Sequence, residues 1–105
     1  MKLRFTPEAL NDLTEIKQYI AKDLGSPLAA GKIISGILAS CSLLKNQPGL
    51  GMELSKRIGR ETDYRYLISG KCIVFYRIEG NSVSVYRVID SRTDYIRTIG
   101  LVQQS

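Results

Sequence analysis

The apolar residues of this chain keep one period through its first half and another through its last third, and that change fixes the order of its layers. From Ala9 to Leu44 they recur at helical spacing; from Asp63 onward they alternate or run together as in strands. Ala9, Leu13, Ile16 and Ile20, joined by Leu10, form one helical stripe. Ala30, Ile33, Ile34, Ile37, Leu38, Cys41 and Leu44 form a second, stronger one. Each follows a start signal, Thr6-Pro7-Glu8 and then Ser26-Pro27: a hydroxyl that caps the helix, and a proline whose fixed φ suits the first helical position. The first helix is expected to stop near Leu24-Gly25 and the second at Pro48-Gly49. Helices joined by so short a link must fold back as an antiparallel hairpin. Gly31 and Gly36 either weaken the second helix slightly or admit a close neighbour.

Strand patterns flank this hairpin. Leu3 and Phe5 alternate with Lys2 and Arg4, which predicts a short opening strand. Asp63–Ile68, Lys71–Ile78 and Ser82–Asp90 read as three strands joined at Ser69-Gly70 and Glu79-Gly80-Asn81. The run Cys72-Ile73-Val74-Phe75-Tyr76 suits a central strand covered on both faces. Strict alternation puts Tyr64 and Tyr66 opposite Arg65 and Leu67, Phe75 and Arg77 opposite Tyr76 and Ile78, and Val85, Arg87 and Ile89 opposite Tyr86 and Val88. Tyr95 to Ile99 reads as a short terminal helix. Residues 48–62 show no period and read as an exposed loop holding at most a short turn; loops of that length in small domains are often functional. The expected fold is α+β, a two-layer sandwich of N-terminal strand, antiparallel helix hairpin and three-stranded antiparallel meander, in one domain over residues 1–105.

Charge narrows the partners. Fifteen Lys and Arg against ten Asp and Glu give a net +5, which biases so small a domain toward RNA, DNA or an acidic protein. With no histidine, a Ser–His–Asp triad and the usual zinc sites are excluded, and no metal or cofactor is implied. Cys41 and Cys72 fall in apolar patterns and read as small buried hydrophobes. No run approaches the ~18 apolar residues of a membrane span, and no signal peptide opens the chain, so a cytoplasmic location is expected.

Chemistry must then rest on Lys, Arg, Tyr and carboxylates. Arg65, Arg77 and Arg87, interleaved with tyrosines across the meander, read either as nucleic-acid contacts or as structural cross-strand pairs. Lys56, Arg57 and Arg60 form a basic cluster in the loop. Arg92, Tyr95 and Arg97 form a second, in which a phenol flanked by guanidiniums would serve as a base and the arginines would stabilise a phosphorane-like transition state. The plainer role for Tyr95, packing the terminal helix onto the sheet, is preferred. Residues 49–59 lack the G-K-[ST] ending of a phosphate loop. Glu8, Asp12 and Glu15 read as solvated helix surface.

The segment Lys71-Cys72-Ile73-Val74-Phe75-Tyr76-Arg77-Ile78, the turn Glu79-Gly80-Asn81 and Ser82 to Val88 resemble the central hairpin of RelE/ParE toxins. Asp90-Ser91-Arg92-Thr93-Asp94-Tyr95 resembles their closing segment, and Phe5-Thr6-Pro7-Glu8-Ala9 with Asp12-Leu13 their opening. The resemblance covers nearly the whole chain. It implies the toxin of a type II toxin–antitoxin module, arresting growth and silenced by a cognate antitoxin, here through an acidic segment bound in a salt-sensitive way. It also implies one of two actions. RelE-like members cut mRNA in the ribosomal A site; ParE-like members poison DNA gyrase without cutting RNA. Ile73 or Cys72, with Lys71 beside it, stands where RelE-like enzymes carry an arginine, which favours the ParE pattern. Arg92, Tyr95 and Arg97 favour ribosome-dependent cleavage and tip the sequence reading marginally that way. An inactive, antitoxin-binding relative is the third alternative.

Overall fold

The computed structural model describes residues 1–98. Its elements are β1 (Lys2–Phe5), α1 (Pro7–Gln18) running into a π-helical turn (Tyr19–Asp23), α2 (Pro27–Leu43), β2 (Met52–Glu53), α3 (Leu54–Ile58), β3 (Arg65–Ser69), β4 (Cys72–Glu79), β5 (Ser82–Asp90) and α4 (Tyr95–Thr98). Ile99, expected in the terminal helix, lies outside the described residues.

Both predicted caps form. Thr6 Oγ1 accepts from the Ala9 N–H at 3.1 Å, and Ser26 Oγ from the Ala29 N–H at 3.3 Å. Gly25, at φ +66°, turns the chain between the helices. The strands form one five-stranded sheet in the order β1-β5-β4-β3-β2. The meander is antiparallel, whereas β1 lies parallel to β5, Lys2 opposite Ser82 and Phe5 opposite Val85. β4 sits in the middle, buried from Cys72 through Tyr76 as its apolar run required.

The helix hairpin covers one face. Ala9, Leu13, Ile37, Cys41 and Leu44 pack there against Val74, Tyr76, Val83, Val85 and Val88. On the other face Leu54, Tyr66, Ile73, Phe75 and Ile89 form a smaller core, closed by Ile58 and Tyr95 from the two short helices.

Three expectations are corrected. Residues 48–62 are not a bare exposed loop. They carry β2 and α3, Leu54 is fully buried, and Gly51 is pinned beneath the sheet. The Gly51 N–H donates to Tyr76 Oη at 2.8 Å, that hydroxyl donates to Pro48 O at 2.8 Å, and Arg65 Nη2 donates to the carbonyls of Gly49 and Gly51. A β-carbon on Gly51 would stand 2.6 Å from both Tyr66 O and Tyr76 Oη, so only glycine passes there. Second, alternation along β5 breaks. Phe75 pairs with Arg87 but Tyr76 with Val85, leaving Tyr86 as the extra residue of a β-bulge. Val85 and Val88 therefore share the hairpin side while Ile89 faces the other core. Third, Asp12 is buried rather than solvated, and it holds Arg87 and the Val88 N–H.

Candidate macromolecular interface

The residues expected to form a catalytic cluster go to separate places. Arg92 folds back on Asp90 at the end of β5: Nε reaches Oδ1 at 3.0 Å, Nη2 reaches Oδ2 at 2.8 Å, and the Arg92 backbone N–H also donates to Oδ1. These hydrogen bonds favour the ionised carboxylate and pull the Asp90 pKa down to about 2. Tyr95 packs its ring on Phe75, 5.5 Å between centroids, and its phenol oxygen accepts from Arg57 Nε at 2.9 Å. Arg97 pairs loosely with Asp94 at 3.6 Å. The preferred packing role for Tyr95 is thus what the fold uses, and its guanidinium partner comes from α3.

The basic residues divide likewise. Lys56 is exposed and pairs with Glu53 at 3.0 Å. Arg57 lies over the Tyr66 ring at 5.7 Å as well as on Tyr95, which joins α3 to α4. Arg60 is half-buried just beyond α3. Arg65 holds loop carbonyls. Arg77 pairs with Asp63 at 2.7 Å and lies over two tyrosine rings, 5.0 Å from Tyr64 and 5.5 Å from Tyr86. Arg87 is engaged by Asp12, with Nε on Oδ2 at 2.7 Å and Nη2 on Oδ1 at 2.8 Å. Lys71 is exposed in the β3–β4 turn.

Between the hairpin and the sheet, beside the β3–β4 turn and the end of β5, lies a groove of about 1070 Å³. Ile16, Tyr19, Ile20, Leu24 and Ile33 wall it on the helical side; Lys71, Ile89 and Arg92 are among its residues on the sheet side. The π-helical turn widens the end of the first helix there, placing Tyr19 and Leu24 at the exposed mouth while Ile20 stays buried. Among the described residues no set of three or more Cys, Asp or Glu converges on a metal position, and no helix is long and apolar enough to cross a membrane.

Sequence reasoning missed Asp12, though its signal was present. It lies three residues after Ala9 and four before Ile16, on the apolar face of α1. Asp63 and Glu79, which hold Arg77 and Tyr86, left no such signal because their partners come from other strands.

The chain is thus a small mixed-sheet α+β domain in which Arg77, Arg87 and Arg92 are paired to its own carboxylates and a largely apolar groove lies beside Arg87 and Arg92. The sequence profile described as "ParE toxin of type II toxin-antitoxin system, parDE" matches residues 3–95, and the chain belongs to that family. A solved structure described as the chromosomal ParDE TA system from P. aeruginosa is similar at a TM-score of 0.72, with 21% identity over 86% of this chain and 95% of that one. A comparison with curated proteins finds no match.

Proposed function

We propose that this chain is a toxin that acts by binding and poisoning DNA gyrase, as a ParE-like protein, rather than by cutting mRNA. The observation that carries this reading is the dispersal of Arg92, Tyr95 and Arg97. Arg92 is closed on Asp90, Tyr95 is packed on Phe75, and Arg97 sits beside Asp94. A general base and its oxyanion partners must stand within hydrogen-bond reach of one reacting atom, and these side chains are turned to three different neighbours. Membership of the ParE family supports the same choice over the mRNA cleavage that the terminal cluster favours.

In this reading the whole of residues 1–105 is one toxin domain in the cytoplasm, held silent by an antitoxin. The groove suits an antitoxin segment with an apolar stripe for Ile16, Ile20 and Ile33 and acidic side chains for Lys71 at its edge. The test is induction of the protein alone in bacterial cells with protein and DNA synthesis pulse-labelled side by side, together with a supercoiling assay on purified gyrase. Early loss of DNA synthesis with double-strand breaks supports the reading. Early loss of protein synthesis with normal supercoiling refutes it.

A further inference from the structure

β1 covers β5 only as far as Val85, and beyond the bulge at Tyr86 the edge of β5 runs beside the groove. The main-chain groups of successive strand residues point to opposite sides. The Val88 N–H points away from β4, to Asp12 on α1, so the Val88 carbonyl and both main-chain groups of Asp90 point outward with it. Ser91, the next residue, donates back toward β4, to Lys71 O, as this alternation requires. Two of the four outward groups are taken. Asp12 holds the Val88 N–H at 2.9 Å, and the Thr93 N–H donates to the Asp90 carbonyl at 2.9 Å. The Val88 carbonyl and the Asp90 N–H have no partner among the described residues.

That remaining pair is selective for direction. In parallel pairing, a residue of the added strand gives its N–H to the residue before its opposite number and accepts from the residue after it. The Val88 carbonyl and the Asp90 N–H flank Ile89 in just this sense, so one residue placed opposite Ile89 satisfies both. An antiparallel strand must exchange two bonds with Val88 or with Asp90. In each of these one group is already occupied, so such a strand would bury a carbonyl facing Asp12 or an N–H without an acceptor.

The chain itself reaches the head of this edge. Thr98 lines both the groove and a small depression beside Tyr86, and Arg87 is the other residue common to the two. A chain continuing from Thr98 along the groove therefore runs from Arg87 toward Asp90, in the direction of β5. The next residues are Ile99-Gly100-Leu101-Val102. Extended, they span roughly 13 Å at ~3.3 Å each, enough to pass from Arg87 to Asp90. With Gly100 opposite Ile89, alternation turns Ile99 and Leu101 to the side of Val88, where Ile16 and Ile20 wall the groove.

We infer that residues 99–102 add to the free edge of β5 as a short parallel strand, in line with β1. The Gly100 N–H donates to the Val88 carbonyl, the Gly100 carbonyl accepts from the Asp90 N–H, and Ile99 and Leu101 cover the apolar wall of the groove. An antitoxin segment that enters the groove must first displace this strand; that consequence alone rests on the function proposed above.

The experiment is amide hydrogen exchange by NMR on the full chain without any partner, as wild type, Gly100→Pro and Leu101→Asp. Proline has no N–H to give to Val88, and aspartate resists burial against Ile16 and Ile20. Expected is an Asp90 amide that exchanges on the order of a hundredfold more slowly in the wild type than in either variant, with the β4 amides equally slow in all three. An Asp90 amide as fast in the wild type as in the variants overturns the strand. Slow exchange that survives both substitutions overturns it too, because some other group then holds that N–H. If Gly100→Pro loosens β4 as well, the same comparison with Leu101→Asp decides. No gyrase or antitoxin enters the measurement, so the strand can fail while the proposed function stands, and the reverse.

Discussion

Replacing Asp12 by alanine should cost this fold more than any other single charge removal. The Asp12 side chain is 8% exposed and carries three hydrogen bonds at once, from Arg87 Nε, Arg87 Nη2 and the Val88 N–H. Alanine would leave a guanidinium half-sheltered under α1 and a backbone N–H with no acceptor on the stretch of β5 beyond its pairing with β1. Stranding one partner of a buried pair costs about 3–5 kcal/mol, and an orphaned N–H about 1–3 kcal/mol. Arg87 is 28% exposed, and water reaching it reduces the first figure, so the combined loss should be about 3 kcal/mol. Against a total stability of about 5–15 kcal/mol, this lowers the melting temperature by roughly 12–20 °C for a chain of this size. Urea unfolding followed by circular dichroism gives the loss directly, and the double variant Asp12→Leu with Arg87→Met separates its parts. If the cost is the stranded cation, the double variant recovers most of the stability. A single-variant loss below about 0.5 kcal/mol would show that Asp12 behaves as the solvated helix residue its neighbours Glu8 and Glu15 are.

Other outcomes follow from the same geometry. Asp90, with its folded pKa lowered to about 2, adds stability that is present above its unfolded value near 4 and is lost as pH falls through 2; carboxyl titration by NMR should place it there, and Arg92→Gln should move the midpoint up toward the unfolded value. Tyr76→Phe removes the hydroxyl joining Pro48 O to the Gly51 N–H and should cost about 1–3 kcal/mol by urea unfolding; no change would mean that the 48–62 segment is not anchored through it. Burial raises the thiol pKa of Cys41 to about 11 and that of Cys72 in the same direction, so a thiol-specific colour reagent at pH 8 should label neither until the protein is unfolded.

The helical half of the fold was legible because its determinants are local. Caps at Thr6 and Ser26 and a stop at Gly25 act within a few residues, and the stripes between them need only an apolar partner. β4 declared itself by burying both faces. The bulge at Tyr86 was not legible, since it depends on how β5 meets β4 and α1 together, and a one-residue shift in pairing leaves no mark on composition. The 48–62 segment misled because its glycines signal turns whether or not a tyrosine hydroxyl waits beneath them. The candidate site was legible as residue types and not as an arrangement. Sequence proximity joined Arg92, Tyr95 and Arg97, while the fold gave Tyr95 to Arg57, 38 positions away.

The parallel pairing of β1 with β5 ties the first strand to one made some 80 positions later, and Thr6 Oγ1 reaches the carbonyl of Tyr86 across the same gap. Contacts of such long range make folding slow and late. During synthesis the opening strand has no neighbour until Ser82–Val85 has left the ribosome, so the sheet cannot close before then. Chains that stop before Ser82 would lack that closing pair, and a cell would meet either a domain with its sheet closed or an unfolded fragment open to proteolysis, with little in between.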